Sequence, residues 1–165
     1  MAQCELFKSE IKGVKNNVTL VSQLVDSLQT YAESGAFAAQ ITSARANAKK
    51  VELLTGLALN ASDEAVAMAS EAQYYSEVCN IAEVKSYTID AESYAIDARD
   101  FADEAFTNAK KANTAKNLGD VRYYMRKSLN ASREAKKSAD DAAYAASIAR
   151  MSCTHNDAHG IGSDD

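Results

Sequence analysis

Residues 84–112 read VKSYTIDAESYAIDARDFADEAFTNAKKA, and their spacing decides the fold. Val84, Thr88, Ala91, Ala95, Ala98, Ala102, Ala105, Ala109 and Ala112 follow one another at steps that alternate between four and three residues. That step keeps one line of side chains on a single face of an α-helix, facing a partner helix. A strand would need a period of two, which is missing. Tyr87, Tyr94 and Phe101 run beside the line at intervals of seven and supply the bulk that alanine lacks.

The same step extends outward in both directions. Toward the N-terminus it appears as Phe37, Ile41, Ala44, Ala48, Val51, Thr55, Ala58, Ser62, Ala65, Ala69 and Ala72, flanked by Leu54, Ala61, Met68 and Tyr75. Further back it is Cys4, Phe7, Ile11, Val14, Val18, Val21, Val25, Leu28 and Ala32, widened by Leu20, Leu24 and Tyr31 as a helix with two neighbours requires. Toward the C-terminus it is Tyr124, Ser128, Ala131, Ala135, Ser138, Ala142, Ala145 and Ala149. Alanine is roughly a fifth of the chain and proline is absent. Alanine forms helix best because it loses no side-chain entropy, so helices here are free to run long.

These four stripes predict an all-α protein: an antiparallel up-down-up-down bundle of four long helices, about 3–34, 36–78, 82–116 and 120–152, forming one domain over residues 1–152. Residues 153–165, CTHNDAHGIGSDD, are polar and predict a flexible tail. Ser34-Gly35 is expected to stop the first helix. In Asn117-Leu118-Gly119-Asp120, glycine is expected to stop the third helix and aspartate to cap the fourth. Between the second and third stripes neither glycine nor proline marks a break. A turn near Ser76–Ile81 is expected because the seam slips by one residue there and Asn80 favours a helix end. The alternative is a single rod over residues 37–115, roughly 120 Å long at 1.5 Å per residue, which would leave its stripe exposed and dimerise. Folding the last two helices about Leu118 would set Asp103 opposite Arg133 and Asp100 opposite Lys136.

Chemistry is sparse. The chain's net charge is −5, which argues against a nucleic-acid binder. The basic residues of the last helix, from Arg122 and Arg126 to Lys136 and Lys137, spread around it. No apolar run is long enough for a transmembrane helix. The N-terminal residues do not form a secretory signal, which predicts a cytoplasmic protein, with export by another route left open. A di-iron bundle site would need Glu-x-x-His pairs on helices, and both histidines lie beyond Ser152. Phosphate-cradling loops are absent, and Asp90, Asp97, Asp100, Asp103 and Glu104 fall on outward positions, as a solvated face would place them. No catalytic residue and no cofactor is expected.

Two weaker constellations remain. An up-down bundle gathers Cys4, Cys79 and Cys153 at one end, with His155 and His159 following directly, a donor set suited to zinc or copper(I). Against that, cysteine commonly serves as a small buried hydrophobe. Met68, Tyr75, Tyr87, Tyr94 and Phe101 form a ladder that is either core or the lining of a slot for an apolar or aromatic ligand. The reading that leads is a non-enzymatic structural or protein-interaction bundle, self-associating through its surplus of apolar stripe. A ligand-binding bundle and a peripheral, lipid-associated helical protein are the alternatives.

Overall fold

A computed structural model describes the backbone of residues 2–160 and the side chains of residues 5–154. It contains four helices: α1 (Ala2–Ala36), α2 (Ile41–Cys79), α3 (Ala82–Thr114) and α4 (Leu118–Gly160). Each packs antiparallel on its neighbours in the chain, α4 closes against α1, and the diagonal pairs scarcely meet. The stripes are buried as their spacing requires. From Phe7 to Ala32 every first-seam position is buried, as is every third-seam position from Val84 to Ala112.

The interior is layered. One end packs Val25, Leu28, Val51, Val121, Met125 and Leu129 among alanines. The other packs Phe7, Ile11, Val14, Val84 and Cys153, with Met68, Tyr75 and Tyr87 at its edge. Between them lies a layer of Val18 and Val21 against Ala58, Ala61, Ala65, Ala95, Ala98, Ala139 and Ala142. Small residues there let the helix axes approach closely. The buried hydroxyls need partners in such a dry interior. Thr55 donates to Val51 O at 2.7 Å and Ser76 to Gln73 O at 2.7 Å, each within its own helix. Ser128 donates across to Ala105 O at 2.8 Å and ties α4 to α3.

The turn expected near Ser76–Ile81 is present, and the other turns correct several expectations. Asn80 adopts the left-handed conformation (φ 56°, ψ 39°), and its N–H donates to Ser76 O. Asparagine tolerates this region better than most residues. The chain therefore turns after Cys79, and the rod over residues 37–115 does not form. α1 passes through Ser34 and Gly35 to Ala36 without a positive φ. Gly35 serves close packing instead: a Cβ there would lie 2.7 Å from Met125 Cε. Phe37, expected at the head of the second seam, sits in the turn before α2 and is 71% exposed.

At the last turn Asn117 is the cap, with Oδ1 accepting the Asp120 N–H at 2.8 Å and Nδ2 donating to Asp120 Oδ2 at 3.0 Å. Gly119 lies inside the first turn of α4 and stops nothing. Arginines satisfy two helix C-termini: Arg122 donates to Ala36 O at 3.1 Å and Arg45 to Ala115 O. A cation there meets both orphan carbonyls and the negative end of the helix dipole.

In α4 the expected seam is buried at Ser128, Ala131, Ala135, Ala142, Ala145 and Ala149 and half-buried at Tyr124 and Ser138, and the buried face is wider than expected, taking in Val121, Met125, Leu129, Ser132, Ala139, Ala146 and Cys153 as well. The stretch from residue 153, expected to be a tail, is helical as far as Gly160; residues 161–165 lie outside the described residues. The expected pairs of Asp103 with Arg133 and Asp100 with Lys136 do not form. Arg133 pairs with Glu33 at 3.0 Å and Lys136 pairs with Asp26, both on α1, and Asp100 pairs with its neighbour Arg99.

Candidate functional site

Of the cysteine–histidine constellation, only the side chains of Cys79 and Cys153 fall among the described residues. Cys79 is half-buried at the C-terminal end of α2, and Cys153 is buried in the same end layer as Phe7 and Ile11. The side chains of Cys4, His155 and His159 lie outside the described residues. Among the described residues no three His, Cys, Asp or Glu side chains come together as a metal site.

The aromatic ladder divides. Met68 rests against Gly13 of α1, where a Cβ would overlap its sulfur, and Asn17 Nδ2 donates to that sulfur at 3.5 Å. Tyr75 and Tyr87 pack on the end layer, and Tyr94 is exposed. Phe101 faces α4, lining a 360 Å³ groove with Glu104, Lys127, Asn130, Arg133 and Glu134. Met68 and Phe101 thus look toward opposite neighbours, and the five residues do not converge on one slot.

Two other surfaces stand out. The first is on α2. Leu53 is 67% exposed and Leu57 46% exposed. Between them Gly56 leaves a notch floored by Phe106, whose Cε2 would lie 3.2 Å from an added Cβ. The notch belongs to a 470 Å³ groove also lined by Lys49, Glu52 and Asn60. Glu52 is held by a hydrogen bond from Asn113 Nδ2. Along α2 the exposed charges are sorted by sign: Lys49 and Lys50 precede the leucines, and Asp63, Glu64, Glu71 and Glu77 follow them. Leu53 and Leu57 are legible in the sequence only as leucines off the seam.

The second surface lies where α1 meets the last part of α4. Buried Ile11 and Ala146 form its floor, and exposed Met151, Lys12, Lys15 and Arg150 its rim, around a volume of 640 Å³. Sequence reasoning did not find it, because its residues meet only across two helices.

A hydrogen bond to Asp26 holds Lys136 above the ordinary lysine value, and Tyr123 does the same for Lys127. Lysines also lie over aromatic rings, Lys50 over Tyr31 at 4.7 Å and Lys110 over Phe106 at 4.4 Å. No helix among the described residues is long and apolar enough to cross a membrane. No protein-family model matches the chain, and no curated protein sequence matches it.

Proposed function

We propose that this chain is a non-enzymatic structural bundle that works by self-association, two copies meeting along the outer face of α2. One observation carries the reading: that face is complementary to itself when turned end for end. Its outward residues are Ala46, Lys49, Leu53, Gly56, Leu57, Asn60, Glu64 and Ala67. Laid antiparallel about a two-fold axis between Gly56 and Leu57, Lys49 of one copy meets Glu64 of the other. Ala46 then meets Ala67, Leu53 meets Asn60, and Leu57 enters the notch at Gly56. A two-fold contact uses the same patch on both copies, so a face with one charge sign on each side of an apolar centre fits it. The four long seams are covered within the bundle, so association draws on this smaller surface instead.

Light scattering coupled to gel filtration, over a wide concentration range, tests the reading. The expected result is a dimer that Leu53→Glu converts to monomer. Lys49→Glu should weaken it by placing like charges together, and the double variant Lys49→Glu/Glu64→Lys should restore it. A wild-type chain that stays monomeric throughout the range refutes the proposal, and so does a dimer indifferent to Leu53→Glu.

A further inference from the structure

On the edge of the bundle away from the α2–α3 groove, cross-helix charges follow a pattern that stops abruptly. Where α1 meets the earlier part of α4, acid faces base: Glu33 pairs with Arg133 and Asp26 with Lys136. Further along, past Asp140 and Asp141, α4 is basic again at Arg150, but α1 there supplies Lys12 and Lys15. Among the described residues no carboxylate is in ion-pair reach of these three cations; of the two acids on this part of α1, Glu5 pairs with Lys8 at 3.6 Å and Glu10 pairs with none of the three. Three like charges gathered without compensation, on a chain of net charge −5, work against the folded state unless an anion joins them.

What lies between the cations selects the anion. The floor of Ile11 and Ala146 is buried, and Met151 beside it is 68% exposed. An inorganic anion would leave the apolar surface of Met151, and of the aliphatic stems of the three basic side chains beside it, in water. We infer that the groove binds a single-chain anionic amphiphile, an alkyl carboxylate, with its head between Lys12, Lys15 and Arg150 and its tail over Met151 and those stems.

The dimensions agree. From Ala146 to Thr154 the groove follows α4 for about 12 Å at 1.5 Å per residue, the reach of one medium-length acyl chain. Its 640 Å³ falls within the roughly 300–1,000 Å³ typical of small-molecule sites. Methionine at the rim suits a flexible chain, being itself unbranched and adaptable. Ser147 offers a hydroxyl beside the head group, whereas Thr154 already donates to Arg150 O at 3.0 Å.

Titration calorimetry of the full chain with laurate, below its micelle concentration, tests this, with dodecylammonium as the cationic counterpart. Laurate is expected to bind one molecule per chain, and dodecylammonium about tenfold more weakly or not at all. The double variant Lys15→Glu/Arg150→Glu should lose laurate binding by at least about tenfold. Met151→Asp should weaken it while leaving thermal unfolding unchanged, because that side chain is largely exposed. Leu53→Glu, which alters the α2 face, should leave laurate binding intact and so separates this site from self-association. Equal binding of the two amphiphiles, or laurate binding unaffected by the charge reversals, overturns the inference. So does flotation with phosphatidylglycerol vesicles in the absence of laurate binding, which would make the cations a membrane-surface patch.

Discussion

Replacing Ala95 with leucine puts the small-residue interior to its hardest test. Ala95 is fully buried in the middle layer, where seven of the nine buried residues are alanine: Ala58, Ala61, Ala65, Ala95, Ala98, Ala139 and Ala142. Leucine is nearly as good a helix former as alanine, so local propensity changes little and packing decides the outcome. Were a void waiting beside Ala95, the larger side chain would add about 1.5–3 kcal/mol of burial. If the helices are as close as alanine permits, it must instead push them apart, at about 1–3 kcal/mol. For a chain of this size each kcal/mol moves the midpoint by about 2–4 °C, so the expected loss is about 2–12 °C. Thermal unfolding followed by circular dichroism reads this directly. Ser93→Leu, on the exposed face of the same helix, is the control and should stay within about 0.5 kcal/mol of the parent. An Ala95→Leu protein that melts at or above the parent temperature refutes the close-packing argument.

Asn80→Ala should cost about 1–2 kcal/mol in urea unfolding, because a Cβ without a local polar partner is strained in the left-handed region, while Asn80→Gly should restore most of it. Two buried serines one turn apart should respond with opposite signs in the same assay. Ser128→Ala loses the bond to Ala105 O and should destabilise by about 1 kcal/mol, whereas Ser132 has a buried hydroxyl with no partner, and Ser132→Ala should stabilise by about 1 kcal/mol. The Lys136–Asp26 pair raises the lysine's pKa in the folded state, so its contribution is complete below the ordinary value of 10.5 and fades as pH rises through the raised one. Being exposed, it should contribute only about 0.2–0.5 kcal/mol, measured as the gap between parent and Lys136→Met. That gap should close above pH 10.5 and in high salt; a gap independent of both would count against the pairing.

The sequence carried the helices because bulk and smallness contrast along them. In α1 the line from Phe7 to Leu28 stands out from its polar neighbours, and all of it is buried. In α4 the contrast fails. Alanines occupy two adjacent lines, one through Ala131 and Ala145, the other through Ala139 and Ala146, and all four are buried, so alanine alone does not choose between the lines. What separates the lines is bulk at the start of the helix: Val121 and Met125 are fully buried, and they belong to the second line. Counting heptads from Tyr124 therefore found one flank of a wider buried face: six of the eight positions so counted are buried, and the second line is buried beside them.

The groove between α1 and α4 was not legible from either helix alone. Folding the last two helices about Leu118 set Arg133 and Lys136 opposite acids of α3. In the structure they reach to α1 instead and meet Glu33 and Asp26. Further along the same contact Arg150 lies with Lys12 and Lys15, where the pairing breaks down. A cluster of like charges is invisible in a sequence whose local charges are mixed. It exists only once the register and the rotation of two helices far apart in the chain are fixed together. The α2 face required less: its charges and leucines lie within one helix, and only their exposure had to come from the fold. If Lys15→Glu alone, which recreates the acid-facing-base pattern beside Arg150, stabilises the chain in low salt without laurate, the uncompensated charge is confirmed as a cost of the fold. If it destabilises, the cations are not in repulsion, and the argument for an anionic ligand loses its physical basis.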